Sequence, residues 1–68
     1  MAELTEFDVA KRVEAIIAMR GDYEAAHGAE DELHLDVLKA IASGNVEAVG
    51  MARVAIMTEG IDFPRYCA

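Results

Sequence analysis

Two short breaks divide this chain into three segments whose apolar residues recur at helical spacing. Gly21 and Gly44 mark the breaks, and each is followed by a residue that caps helix N-termini well, Asp22 and Asn45. The pattern predicts an all-α domain of three helices with an ordered C-terminal tail. The predicted bounds are residues 5–20, 22–43 and 45–59 for the helices and 60–68 for the tail.

The first helix has the clearest end signals. Thr5 followed by Asp8 is close to a capping box, and Arg20 with Gly21 is typical of a helix that ends in a left-handed residue. The second helix contains Gly28, which disfavours helix by about 1 kcal/mol relative to alanine. We therefore keep two possibilities for it, a continuous helix and a helix broken at Gly28.

The chain is short, with 68 residues and one cysteine, Cys67, so no intramolecular disulfide forms. A domain of this size is marginally stable alone and often depends on a metal or a partner subunit. No apolar run approaches the roughly 20 residues of a membrane span, and acids occupy the N-terminus where a signal peptide carries positive charge. These features predict a soluble cytoplasmic protein that does not interact with membranes.

The net charge of −7 is concentrated in one part of the chain. Six acids and no lysine or arginine lie between Arg20 and Lys39, whereas the rest is almost neutral. Such a charge pattern disfavours nucleic-acid binding, which requires clustered lysine and arginine. A solvated acidic helix face explains it, and an acidic decoy of nucleic acid is a weaker alternative because the patch is small.

The third helix is apolar on almost every side, which is typical of a helix buried on more than one face. A three-helix monomer of this size cannot easily bury such a helix. Self-association, most simply as a homodimer, solves the problem. The residues predicted to mediate it are Val46, Val54 and Met57, with Leu35 from helix two.

One face of helix two combines polar and apolar residues. At 100° per residue, Glu30 points in the same direction as Val37 and Ile41, where a carboxylate is unfavourable unless it is paired. The leading interpretation is a closed polar network in which one of two arginines meets Glu30. Its predicted members are Arg20, Tyr23, Glu30, His34 and Arg65.

A metal site is the alternative interpretation of this face. Glu24 and His27 repeat the Glu-x-x-His spacing of carboxylate-bridged di-iron bundles, and Asp31 with His34 nearly copies it. In such bundles the ligands come from several helices, so a second copy of the chain is required to supply the remaining ligands.

The metal site could instead hold a single zinc ion. His27, Glu30 or Asp31, and His34 are its predicted ligands, with Cys67 as a fourth. The two histidines lie about 10.5 Å apart along a straight helix, so one ion requires a break in the helix or a symmetric partner. The sequence contains no recognisable nucleophile motif, phosphate loop or cofactor motif, and we expect no enzymatic activity and no obligatory cofactor.

Three spaced motifs also resemble a known group. They are Asp-x-Glu-x-Ala-His-x-x-Glu-Asp-x-Leu over 22–33, Val-Leu-x-Ala-Ile-Ala-x-Gly over 37–44 and Ile-Asp-Phe-Pro-Arg-Tyr-Cys-Ala over 61–68. The chain resembles small uncharacterised proteins of actinobacterial phages and prophages over roughly residues 20–68. That group typically ends in Trp-Cys-Ala, whereas Tyr66 precedes the last two residues here.

The resemblance implies a host-cytoplasm setting and a host protein as a plausible target, and it implies no activity. It places five residues in shared motifs without assigned roles, namely Glu24, His27, Glu30, Asp31 and Cys67. The sequence as a whole predicts a non-enzymatic helical protein–protein interaction module, and a metal-stabilised helical oligomer is the alternative.

Overall fold

The computed structural model describes residues 3–65, which fold into three helices and a short 3₁₀ turn. Helix α1 spans Glu6–Ala18, α2 spans Tyr23–Ala42, α3 spans Ala48–Ile56, and the 3₁₀ turn spans Met57–Gly60. Within this described range there is no strand. The predicted all-α class is therefore confirmed, and the differences from the sequence prediction lie at the helix ends.

Helix α1 begins as predicted and ends earlier. The Thr5 hydroxyl accepts from the Asp8 amide, and the Asp8 carboxylate accepts from the Thr5 amide, so the capping box is present. The helix ends at Ala18, and Gly21 does not adopt the expected left-handed conformation. Arg20 lies beyond the helix, where its guanidinium donates to the Ile17 carbonyl at 2.8 Å.

Helix α2 is continuous through Gly28, which settles the ambiguity left by the sequence. Asp22 caps it as expected, because its carboxylate accepts from the Ala25 amide. At the other end Gly44 has φ +83°, and the amides of Gly44 and Asn45 donate to the carbonyls of Ile41 and Ala40. This is a Schellman termination, which requires a residue that tolerates positive φ.

Helix α3 is shorter than predicted because Asn45 does not cap it. The Asn45 carboxamide oxygen accepts from the Glu47 amide inside the connecting turn, and regular helix starts at Ala48. At its C-terminal end the chain tightens into the 3₁₀ turn, where the Thr58 hydroxyl donates to the Ala55 carbonyl at 2.9 Å. The predicted single helix over 45–59 is thus a turn, an α-helix and a 3₁₀ turn.

The core lies between the three helices and is closed at one end by the chain that follows the 3₁₀ turn. Ile61 and Phe63 are buried, so this part of the tail folds back over the helices as predicted. Tyr66 and Cys67 lie outside the described residues. The buried apolar residues are Val9, Val13, Ile16, Ala26, Leu33, Val37, Met51, Ala55, Ile61 and Phe63.

Polar contacts connect the start of the chain to the α2–α3 turn. The Asn45 amide group donates to the Leu4 carbonyl at 2.8 Å, and the Glu47 carboxylate accepts from the Glu6 amide at 2.9 Å. The Glu6 side chain also lies against Gly50, where a Cβ would overlap its carboxylate. These contacts hold α1 and α3 close together. None of the helices within residues 3–65 has the length and hydropathy that a membrane crossing requires.

Replacing Gly28 with alanine should stabilise the domain. Gly28 lies in a regular helix, and a Cβ at this position meets no atom within 4 Å. The alanine is favoured by up to about 1 kcal/mol because it loses less backbone freedom on folding. We expect the melting temperature of Gly28→Ala, measured by circular dichroism, to rise by roughly 4–8 °C.

Gly44→Ala provides the matched control. A Cβ at Gly44 also meets nothing within 4 Å, so any effect comes from its φ of +83° alone. The free energy of unfolding should fall by about 1 kcal/mol. Equal melting temperatures for the two variants would contradict both assignments.

Candidate functional site

A groove of about 560 Å³ opens between α2 and α3. Its volume lies within the range of small-molecule and cofactor sites in proteins. We call it the α2–α3 groove. Its apolar walls and floor consist of Val37, Leu38, Ile41, Ala52, Ala55 and Ile56, and its polar end consists of Glu30, His34, Thr58, Glu59 and Arg65.

The walls of the groove are exposed although they are apolar. Leu38 on α2 is 62% exposed and Ile56 on α3 is 64% exposed. Ile41, which shares a face of helix two with the buried Val37, is also exposed. Helix α3 therefore covers only part of the apolar face of α2. A contiguous apolar surface of this type marks a binding site more often than an isolated exposed side chain does.

The polar end of the groove is organised by an ion pair between Glu30 and Arg65. The Arg65 Nε and Nη2 atoms donate to the two Glu30 carboxylate oxygens at 2.8 and 3.0 Å. The Glu30 side chain is buried in the middle of α2. The bidentate geometry is the strong form of this interaction, and it satisfies both oxygens of a carboxylate that is shielded from water.

Arg65 also fastens the tail to the 3₁₀ turn. Its guanidinium donates to the carbonyls of Thr58, Ile61 and Phe63 at 3.0, 3.1 and 3.2 Å. It stacks on the Phe63 ring, with the guanidinium carbon 3.9 Å from the ring centroid. One side chain thus joins α2, the 3₁₀ turn and the tail.

The ion pair changes the pKa of both partners. The hydrogen bond from Arg65 lowers the pKa of Glu30 below 4.5, although burial acts in the opposite direction. The same hydrogen bond raises the pKa of Arg65. Glu30 is therefore ionised at neutral pH in spite of its buried position.

His34 completes the polar end through Thr58. The Thr58 hydroxyl donates to the Ala55 carbonyl at 2.9 Å, and its oxygen lies within hydrogen-bond distance of the His34 Nε2 atom, also at 2.9 Å. Thr58 is the member of the network that the sequence analysis missed, and its position just after an apolar helix was the available signal.

The structure brings Glu30, His34 and Arg65 together, as predicted for the network. Arg20 is not a member, because it lies after α1 and binds the Ile17 carbonyl instead. Tyr23 begins α2, seven residues before Glu30, and packs half-buried against the core. The sequence alone could not decide which arginine meets Glu30, because the path of the tail determines it.

The candidate metal ligands are not gathered into one site. His27 contacts Asp31 at 3.5 Å, whereas His34 binds Thr58 and Glu30 binds Arg65. Glu24 is exposed. Within residues 3–65 no group of three or more histidine, aspartate or glutamate residues could hold a metal ion, and Cys67 lies outside this range.

The residues predicted for self-association divide into two groups. Val46, Met57 and Leu35 are 98%, 63% and 51% exposed. Val54, by contrast, is half-buried and packs against the domain's own core, so it offers less exposed surface to a second copy than the other three. At helical spacing Val54 lies 60° from the buried Met51, which explains its position.

The acidic segment of α2 is partly paired with arginines. Arg12 of α1 contacts Asp36 at 2.9 Å and Glu32 at 3.8 Å, in addition to the pair between Glu30 and Arg65. Two arginines that are distant in the sequence therefore offset two of the six negative charges in this segment.

Comparison of the chain with protein-family models, curated proteins and solved structures finds no match.

Arg65→Met should destabilise the domain because it leaves the buried Glu30 carboxylate without its charged partner. We expect a fall in melting temperature on the order of 10 °C. Arg20→Met is the matched control and should have a smaller effect, because Arg20 donates to one exposed carbonyl. Adding Glu30→Gln should recover part of the loss, and additive effects in the double-mutant cycle would contradict the coupling.

Glu30 should also make the domain sensitive to acid. Because its pKa is lowered in the folded state, the ion pair stabilises the fold above pH 4.5 and this contribution disappears as the pH falls through the lowered pKa. Thermal unfolding between neutral pH and pH values below 4.5 should show a shallower decline for Glu30→Gln than for the wild type. Glu14→Gln, at an exposed position of α1, should retain the wild-type decline.

Proposed function

We propose that this chain is a non-enzymatic interaction module that binds a protein partner through the α2–α3 groove. The observation that carries the proposal is the exposure of Leu38 and Ile56 on the two walls of a groove with a small-residue floor. Exposed aliphatic side chains along a groove between two helices are the usual binding surface for an amphipathic helix.

The chemistry of the polar end supports binding rather than catalysis. Glu30 and Arg65 are engaged with each other, and the Thr58 hydroxyl is engaged with Ala55 and His34. These side chains maintain the shape of the groove, so the free energy of binding has to come mainly from burial of the apolar walls.

The partial pairing of the acids on α2 agrees with the same choice. Arg12 and Arg65 offset two of the six negative charges, so the acidic patch is smaller than the sequence suggests and an acidic decoy surface that attracts basic proteins is a weaker explanation. A phage origin and a host-protein target remain predictions from the resemblance.

Site-specific photo-cross-linking tests the proposal. A photo-reactive phenylalanine analogue replaces Leu38 in the groove or, as a control, Phe7, which is 69% exposed on α1. In cells that produce the protein, we expect discrete cross-linked protein species from position 38 and not from position 7. The same species should disappear when Ile56→Glu places a charge on the opposite wall.

Equal cross-linking from the two positions, or cross-linking from position 38 that survives Ile56→Glu, would contradict the proposal. Circular dichroism of Ile56→Glu provides the folding control. Ile56 is exposed in the isolated domain, so its helical signal and melting temperature should stay close to those of the wild type.

A further inference from the structure

We infer that the occupant of the α2–α3 groove is a second copy of this chain. This inference rests on the proposed function and specifies its partner. In the dimer that we propose, the outer side of α3 from each copy lies in the groove of the other, related by a twofold axis.

The surface has the shape that a twofold contact requires. Such a contact is made by the same patch on both copies, so one patch must carry both a raised and a recessed part. On α3, Val49 and Ile56 are two helical turns apart and both are exposed, which makes a raised apolar edge. Ala52 and Ala55 form the adjacent recess. The raised edge of one copy can therefore enter the recess of the other.

The charge of the patch also favours a second copy. Each chain has a net charge of −7, so two copies repel each other at most orientations. Arg65 neutralises Glu30 in the groove, and Glu59 is the other charged lining residue. Asp62 lies close to Arg65, and Arg53 lies beyond the lining on the outer side of α3. The formal charges of these five residues add up to −1, so two acidic chains repel each other less here than their net charge of −7 each would suggest.

Arg53 and Glu59 provide a specific reciprocal contact. Both are exposed, and neither has an ion-pair partner among residues 3–65. Arg53 lies on the outer side of α3 between the exposed Val49 and Met57. In the twofold arrangement, Arg53 of each copy faces Glu59 of the partner subunit, and the contact occurs twice. Opposite charges arranged in this way fix how the two copies are aligned along the contact.

The proposed dimer requires only a small buried interface. A small stable interface buries about 600 Å² per copy, which is roughly an eighth of the 4606 Å² accessible surface of the chain. The exposed apolar residues around the groove supply its centre, and Val46 and Met57 extend the same side of α3. We expect a reversible dimer with a dissociation constant in the micromolar range.

Sedimentation equilibrium of the purified full chain, from low micromolar to millimolar concentration, tests the inference. The average mass should rise from one chain to two. Ile56→Glu should weaken the dimer at least about tenfold, because it places a charge at the centre of the contact. Phe7→Glu, an equal change on α1, should leave the dissociation constant unchanged.

The two charges give a sharper test of the arrangement. Arg53→Glu and Glu59→Arg should each weaken association, since each places like charges opposite one another. The double variant should restore association because the reciprocal pair is rebuilt with its signs exchanged. Additive weakening in the double variant would overturn the arrangement.

Failure of this inference can be distinguished from failure of the proposed function. A chain that stays monomeric at millimolar concentration overturns the dimer. If cross-linking from position 38 then identifies a different protein and remains sensitive to Ile56→Glu, the proposed function stands with another partner. If cross-linking from the groove is also absent, both are wrong.

Discussion

The pairing of the buried Glu30 carboxylate with Arg65 is the interaction on which the rest of the structure depends. It attaches the tail to the middle of α2, and the same guanidinium binds three carbonyls that follow α3. A buried ion pair is weak evidence for high stability, because desolvation offsets much of the attraction. Its importance here is positional, since it determines where the chain after α3 lies and therefore where the groove ends.

The groove is a consequence of how α3 terminates. Regular helix stops at Ile56, and the 3₁₀ turn directs Thr58 inward to the Ala55 carbonyl and to His34. The inward turn closes one end of the space between α2 and α3 with satisfied polar groups. Leu38 and Ile41 extend beyond the part of α2 that α3 covers, and they remain exposed. The apolar surface is thus held in a defined shape before any partner binds, which lowers the entropy lost on association.

Local patterns predicted the local structure well. The capping box at Thr5, the cap at Asp22 and the burial of Glu30 follow from residue type and spacing, and all are present. The errors arose where distant parts of the chain decide the outcome. Asn45 binds Leu4 and the turn before α3 instead of capping that helix, and the position of the tail selects Arg65 over Arg20. Spacing along a helix contains no information about such contacts.

The contacts between the start of the chain and the α2–α3 turn have a consequence for the order of folding events. Helices α1 and α2 are joined by only four residues, so their pairing closes a short loop, whereas Leu4 and Glu6 meet Asn45 and Glu47 across 41 residues. Closing the longer loop loses more chain entropy, and we expect α3 to dock last. The wall of the groove that α3 supplies is then also the first to detach. The N-terminal residues therefore contribute, together with the buried Met51 and Ala55, to keeping the binding surface assembled.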